Sequence, residues 1–240
     1  MSSCINCKQS LTANYCSNCG HPAKLKRIDG HYILHEIEHI LHFEKGIFYT
    51  IRELLIRPGD SIRAFISDNR NRLVKPIIFI IISSLIYTLI NHFFHLEDGY
   101  INLNQPNRYT YINKIQEWVQ SHYGYANIMV GIFIALWVKL FYRKYHYNFF
   151  EILILLCFVI GMSMLIYAVF AVVQGLTKIE VMKPSVVLSF IYCAWAIGQF
   201  FGEKKIANYL KAFFAYVLGL ITFSAATAIL GLILDLTLKH

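Results

Sequence analysis

Charged residues are scarce in this 240-residue chain: Asp, Glu, Lys and Arg together make up 15% of it, and only 14 residues are acidic. A soluble domain carries nearer a quarter, so a single soluble enzyme domain is excluded. Proline is scarce too, at five residues, so the apolar blocks run long without interruption. Those blocks also lack ionisable residues at their centres: Glu151 and Asp235 fall near block ends, and Lys139 lies within reach of one surface. Proton-relay and ion-coupled chemistry bury such groups at mid-membrane, so their absence argues against an enzyme or a proton-coupled transporter.

What is present is apolar. Hydrophobic residues make up 57% of the chain and the mean hydropathy is +0.49. The expected fold is an all-α polytopic membrane protein with about five transmembrane helices, a small amino-terminal zinc ribbon and juxtamembrane amphipathic helices. The expected spans cover residues 77–95, 127–142, 149–174, 185–201 and 210–236. Pro76 opens the first of them, a position where proline suits a helix start. The domain division is 1–24 for the ribbon, 31–75 for the amphipathic helices and 76–240 for the bundle.

Four of the six cysteines stand near the start as two knuckles, Cys4-x2-Cys7 and Cys16-x2-Cys19, and Gly20 suits the tight turn after the second. This spacing holds a tetrahedral Zn2+ through four thiolates; the shell is closed, so the metal is structural. Paired disulfides are the alternative, disfavoured in a reducing compartment. Cys157 and Cys193 sit within apolar blocks and are expected to be inert. The first thirty residues carry no apolar stretch with a small-residue cleavage site, which leads to the expectation that the amino terminus stays cytosolic.

Between ribbon and bundle, apolar residues recur at helical spacing: Ile33, Leu34, Ile37, Ile40 and Leu41, then Ile47, Phe48, Ile51, Leu54 and Leu55. Arg57-Pro58-Gly59 stops that helix, and Asp60 or Ser61 is placed to cap a third carrying Ile62, Phe65 and Ile66. These helices either lie on the inner membrane surface or pack against the bundle. On the first, His31, His35, His39 and His42 share a polar face, and His35-Glu36-Ile37-Glu38-His39 spells the H-E-x-x-H of zinc proteases, with Glu36 as general base. Glu38 places a charge where such helices keep none, and no third ligand follows. A di-iron site with His92 and His95 is poorer, because that pair falls across the membrane. A solvated polar face is the plainer reading.

Arg57, Arg63, Arg70, Arg72 and Lys75 precede the first span, with Asp68 as the nearby acid. They either anchor to lipid headgroups or bind an anionic ligand such as a nucleotide, an oligonucleotide or a signalling lipid. The net charge of +8 fits both.

The segment FEKGIFYTIRELLIRPGDSIRAFISDNRNRLVKP, between a CxxCG-type ribbon and the first span, resembles an uncharacterised bacterial membrane family, a domain of unknown function frequent in Bacteroidetes. The pattern of that family is a ribbon, a short helix ending in a basic-Pro-Gly turn, an isoleucine-arginine pair, a basic run, a proline and several spans. The matching positions here are 4–20, Gly46, Thr50, Leu54, Arg57, Pro58, Gly59, Ile62, Arg63, Arg70, Arg72 and Pro76, over roughly the first eighty residues. The family usually has glycine and lysine where this chain has Asp68 and Asn69. The resemblance implies fold and location and no activity.

Loop charge sets an orientation. Eleven Lys or Arg precede Pro76, and Lys139, Arg143, Lys144, Lys204, Lys205 and Lys211 fall on the same side, against Arg108, Lys114, Lys178, Lys183 and Lys239 opposite. The expected location is the bacterial inner membrane, amino terminus cytosolic and carboxy terminus periplasmic. In the long loop, Tyr111, Ile112, Ile115, Trp118 and Val119 mark an amphipathic helix at the outer interface or a lid over the bundle. Small-residue ridges, Ala194-x3-Gly198-x3-Gly202, Ala215-x3-Gly219 and Thr227-x3-Gly231, close one bundle or join copies, and a homo-oligomer is slightly favoured. The leading functional expectation is a non-enzymatic effector: the ribbon and basic helices sense an anionic ligand or partner, and an oligomeric channel-like bundle opens a pore or perturbs the bilayer. The alternatives are a scaffold that recruits a cytosolic protein partner, then an HExxH membrane metalloprotease, then a transporter.

Overall fold

The computed structural model describes residues 3–10, 14–22, 46–94, 110–202 and 205–237. Beyond the ribbon the described residues form eight α-helices: α1 (Ile47–Ile56), α2 (Pro58–Ser67), α3 (Pro76–Phe94), α4 (Thr110–Ser121), α5 (Tyr123–Phe141), α6 (Phe149–Thr177), α7 (Met182–Gly202) and α8 (Ile206–Thr237). Five are long and apolar enough to cross a membrane: α3, α5 from Gly124, α6, α7 and α8. The protein is thus an all-helical membrane protein with five candidate spans. Each expected span coincides with one of these helices, with ends displaced by at most four residues.

α6 is the axis of the bundle. It packs against α3, α5 and α7, while α8 closes the outside against α5 and α7. Over the most apolar eighteen residues of each, 67% of α6 is buried and 17% of α8, which places α8 on the outside of the bundle. α6 starts from a capping box: Asn148 accepts the Glu151 amide at 2.8 Å and Glu151 accepts the Asn148 amide at 2.6 Å. Glu151 is therefore a helix-start residue. Asn208 turns back from the first turn of α8 to donate to the carbonyls of Phe201 (3.0 Å) and Gly202 (3.1 Å), which ends α7.

The small-residue ridges work within the chain. A Cβ on Gly219 would lie 2.6 Å from the Ile134 Cα, one on Gly231 2.8 Å from the Ile112 Cα, and one on Gly198 3.0 Å from the Tyr209 Cα. Close approach of α8 to α5, α4 and α7 uses these glycines, so they carry no argument for joining copies. The amphipathic helix of the long loop is present as α4 and packs on the far end of α8, where the Asp235 carboxylate accepts the Tyr111 amide at 3.2 Å.

α1 and α2 pack against the bundle, the second of the two expected arrangements. Leu54, Ile62, Phe65 and Ile66 belong to the same buried cluster as Phe79, Phe158 and Phe200. The start of α2 differs from the expected cap: Pro58 occupies the first helical position, so Asp60 and Ser61 lie inside the first turn.

Candidate metal centre and cationic collar

The ribbon is a twofold repeat with a period of twelve residues. The Cys4 amide donates to the Gln9 carbonyl (2.7 Å) and the Lys8 amide to the Cys4 carbonyl (2.9 Å); Cys16, His21 and Gly20 repeat this at 2.8 Å each. Bridges Ser3–Ser10 and Tyr15–Pro22 close the two loops. Lys8 and Gly20 both take a left-handed backbone, φ 65° and 69°, which glycine adopts freely and lysine does not.

The four thiols converge. All their Sγ atoms lie within 4.8 Å of one another, with Cys4 and Cys19 at 3.7 Å and Cys7 and Cys16 at 3.5 Å. A tetrahedral ion with metal–sulfur bonds of about 2.3 Å sets sulfurs roughly 3.8 Å apart, so the donor set fits a metal ion. These separations are far beyond a disulfide bond, and all four are free thiols. The Gln9 backbone amide, and then the Cys16 thiol, stabilise the Cys7 thiolate and lower its pKa to about 6.

Three of the arginines expected to meet an anion, Arg57, Arg63 and Arg72, meet acids of this chain. Glu53, 8% exposed, accepts Arg57 through both oxygens at 3.1 Å, Ser61 Oγ at 3.0 Å and Arg72 at 3.0 Å. Arg72 also donates to the Tyr49 hydroxyl at 3.1 Å. Burial raises the Glu53 pKa, but the bonds from Arg57 and Ser61 and the charges of Arg57 and Arg72 outweigh it and hold it below the usual range. Glu53 is thus the acid that Arg57 and Arg72 meet. The Arg57 partner is local, at i,i+4, whereas Arg72 is 19 residues away and is brought to Glu53 only by the fold.

Arg63 pairs with Asp60 and donates to the carbonyls of Gln199 and Phe200, both at 2.6 Å. In return the Gln199 Oε1 accepts the Gly59 amide at 2.7 Å. Thr50 accepts the Val74 amide at 3.0 Å, which fixes the approach to α3. Arg70 and Lys75 stand at the same end, beside the first turn of α3. The ribbon touches this collar where Asn69 donates to Asn6 at 3.1 Å, and a cleft of about 590 Å³ between them is lined by Ile5, Tyr49, Asp68 and Arg72 among others. The histidine face, His31, His35, Glu36, His39 and His42, lies outside the described residues, as does His95.

Residues 44–88 match a family described as a protein of unknown function (DUF3667). The match begins just before α1 and ends within α3, so it covers the collar and the start of the first span. No curated protein and no solved structure matches the chain.

Proposed function

We propose that this protein is a non-enzymatic adaptor of the bacterial inner membrane: a cytosolic zinc ribbon, fixed on the α1–α2 collar, recruits a cytosolic protein partner to a five-span anchor. The observation that carries this reading is the direct docking of ribbon on collar and collar on bundle, through Asn6–Asn69, Arg63–Gln199 and Tyr192–Leu54. A head docked on the collar suits presentation of a surface. Zn2+ suits the four-thiolate donor set, would be held by Cys4, Cys7, Cys16 and Cys19, and supplies the folding energy that so short a segment lacks. The two acids at span ends, Glu151 and Asp235, serve as helix caps, which fits a non-catalytic role. The excess of basic residues on the ribbon side supports a cytosolic ribbon and a periplasmic carboxy terminus.

The effector reading comes second. Arg63 joins α2 to the end of a candidate span, so an anion that drew Arg63 away would loosen α7. Two experiments separate the readings. Crosslinked membranes should yield a partner stoichiometric with the chain, lost in Cys16→Ser. Liposomes holding the purified protein should pass no ions with or without nucleotides, oligonucleotides or anionic lipid; flux that depends on one of these favours the effector.

A further inference from the structure

α1 lies alongside the candidate spans, where its Leu54 meets Tyr192 of α7. Gly161 of α6 packs on Phe79 and Ile80 near the start of α3, and Gly175 packs on Phe94 at its end. α3 therefore runs beside the later part of α6, and the residues from Phe149 to Gly161 continue about 18 Å beyond the Phe79 contact, at 1.5 Å per residue. α1 and α2 fill the space beneath α3. Phe65 meets Phe158 at 5.4 Å, Gly59 lies on Gln199, and the Leu54 carbonyl accepts the Tyr192 hydroxyl at 3.1 Å.

On the other side of the bundle, this same level is apolar and open. Tyr142 stacks on Phe201 at 3.8 Å and its hydroxyl bonds the Asn208 carbonyl, which brings the ends of α5 and α7 and the start of α8 level with one another. There α5 exposes Leu136 and Leu140, and α8 exposes Ile206 and Leu210. The oily surface of the spans thus extends down to the collar.

The outer face of α1 is of the same kind. Phe48, Leu55 and Ile56 are 83%, 52% and 61% exposed, and Arg52 is exposed between them. At 100° per residue the four lie within an arc of about 100°. The opposite face carries Thr50, Glu53 and Leu54, with the Glu53 charge matched by Arg57 and Arg72.

We propose that α1 is embedded in the bilayer leaflet on the ribbon side, with Phe48, Leu55 and Ile56 at the boundary between headgroups and acyl chains and Arg52 reaching a lipid phosphate. The occupant of this face is lipid, because the face lies beside the candidate span α7, at the level where α5 and α8 also expose apolar side chains, and pairs large apolar side chains with a cation that can snorkel. The proposal is independent of what the ribbon recruits and of which side of the membrane it faces.

Tryptophan quenching tests it on the full chain in bilayers of phosphatidylcholine and phosphatidylglycerol. The emission added by Phe48→Trp and Leu55→Trp, over that of Trp118, Trp137 and Trp195, should fall at least twofold with acyl-brominated lipid and barely with aqueous iodide. Tyr15→Trp on the ribbon, 67% exposed, should show the reverse. Iodide quenching at Phe48→Trp and Leu55→Trp would make α1 a water-facing helix and overturn the proposal. Quenching by neither reagent would mean that protein covers the face, and would overturn it equally. Should either variant fail to fold, Ile56→Trp gives the same readout.

Discussion

Arg63 and Gln199 cap each other's helices. The Arg63 guanidinium satisfies two carbonyls at the end of α7, and the Gln199 side chain satisfies an amide at the start of α2. Helix ends leave such groups without partners, and a cation near the carbonyl end also complements the helix dipole. This exchange accounts for the Arg-Pro-Gly and Ile-Arg pattern residue by residue. Arg57 holds Glu53, Pro58 starts α2, Gly59 admits the backbone of α7, Ile62 enters the core and Arg63 supplies the cap.

Gly59→Ala should break this contact. The added Cβ would lie 2.5 Å from both the Gln199 carbonyl carbon and the Phe200 nitrogen, which are backbone atoms that cannot step aside. The expected loss is about 1–3 kcal/mol, the usual range for overpacking, read as a lower thermal midpoint in detergent. Gly46→Ala, with open space around its Cβ, is the control and should melt close to the parent protein. Equal midpoints for the two variants would show that α2 does not rest on α7.

Glu53→Gln should destabilise the collar, because it leaves Arg57 and Arg72 facing a neutral group. A fully buried pair broken on one side costs about 3–5 kcal/mol. Here the Arg57 and Arg72 side chains are 50% and 35% exposed, and solvent screening reduces the expected cost to about 1–2 kcal/mol. The Glu53 pKa is depressed in the fold, so its contribution is complete above the unfolded carboxylate value of about 4.3 and disappears as the pH falls through the lower folded value. Melts of the parent and Glu53→Gln should therefore differ at pH 7 and converge in strong acid. A gap that stays constant across this range would remove Glu53 from that role.

The spans were legible because each is an apolar run of sufficient length, and their ends were less so for particular reasons. α7 begins at Met182, ahead of the expected 185, because proline at position 184 is tolerated within a first turn. α8 begins at Ile206, ahead of the expected 210, because the polar Asn208 is turned back onto the end of α7. The thiol cluster was fully legible, since both knuckles are local. The Glu53 hub was legible only in part: the i,i+4 spacing to Arg57 is local, but Ser61 comes from the next helix and Arg72 from the turn beyond it. The glycine ridges announced close approach but not the neighbour, which proved to be the same chain at Ile134, Ile112 and Tyr209. The twelve-residue repeat of the ribbon was present in the sequence and is visible once the Lys8 and Gly20 turns are superposed.

Asp235→Ala should release α4 from the bundle. Asp235 is 6% exposed and its Oδ1 is the acceptor for a first-turn amide of α4, at Tyr111. Loss of an N-terminal acceptor costs about 0.5–2 kcal/mol, enough to open a short amphipathic helix more often. Hydrogen exchange should quicken severalfold in residues 110–121 while α3 and α6 stay protected. Unchanged exchange in α4 would mean that its packing against Gly231 holds it alone.

Metal content gives the last prediction. Four thiolates in one shell should retain one metal ion per chain after purification, measured by elemental analysis, and Cys16→Ser should lower that content. Chelation should unfold the ribbon and leave the helical circular dichroism almost unchanged, because the bundle core contains none of the ribbon residues. The left-handed turn at Lys8 adds a finer test. Lysine there costs about 1–2 kcal/mol relative to glycine, which the second knuckle already has at position 20. Lys8→Gly should therefore slow metal loss to a competing chelator by about tenfold, since 1.4 kcal/mol corresponds to a factor of ten. Gly20→Lys, which places the same strain in the second knuckle, should speed it. If neither change moved the rate, the two turns would not be part of the metal-holding fold.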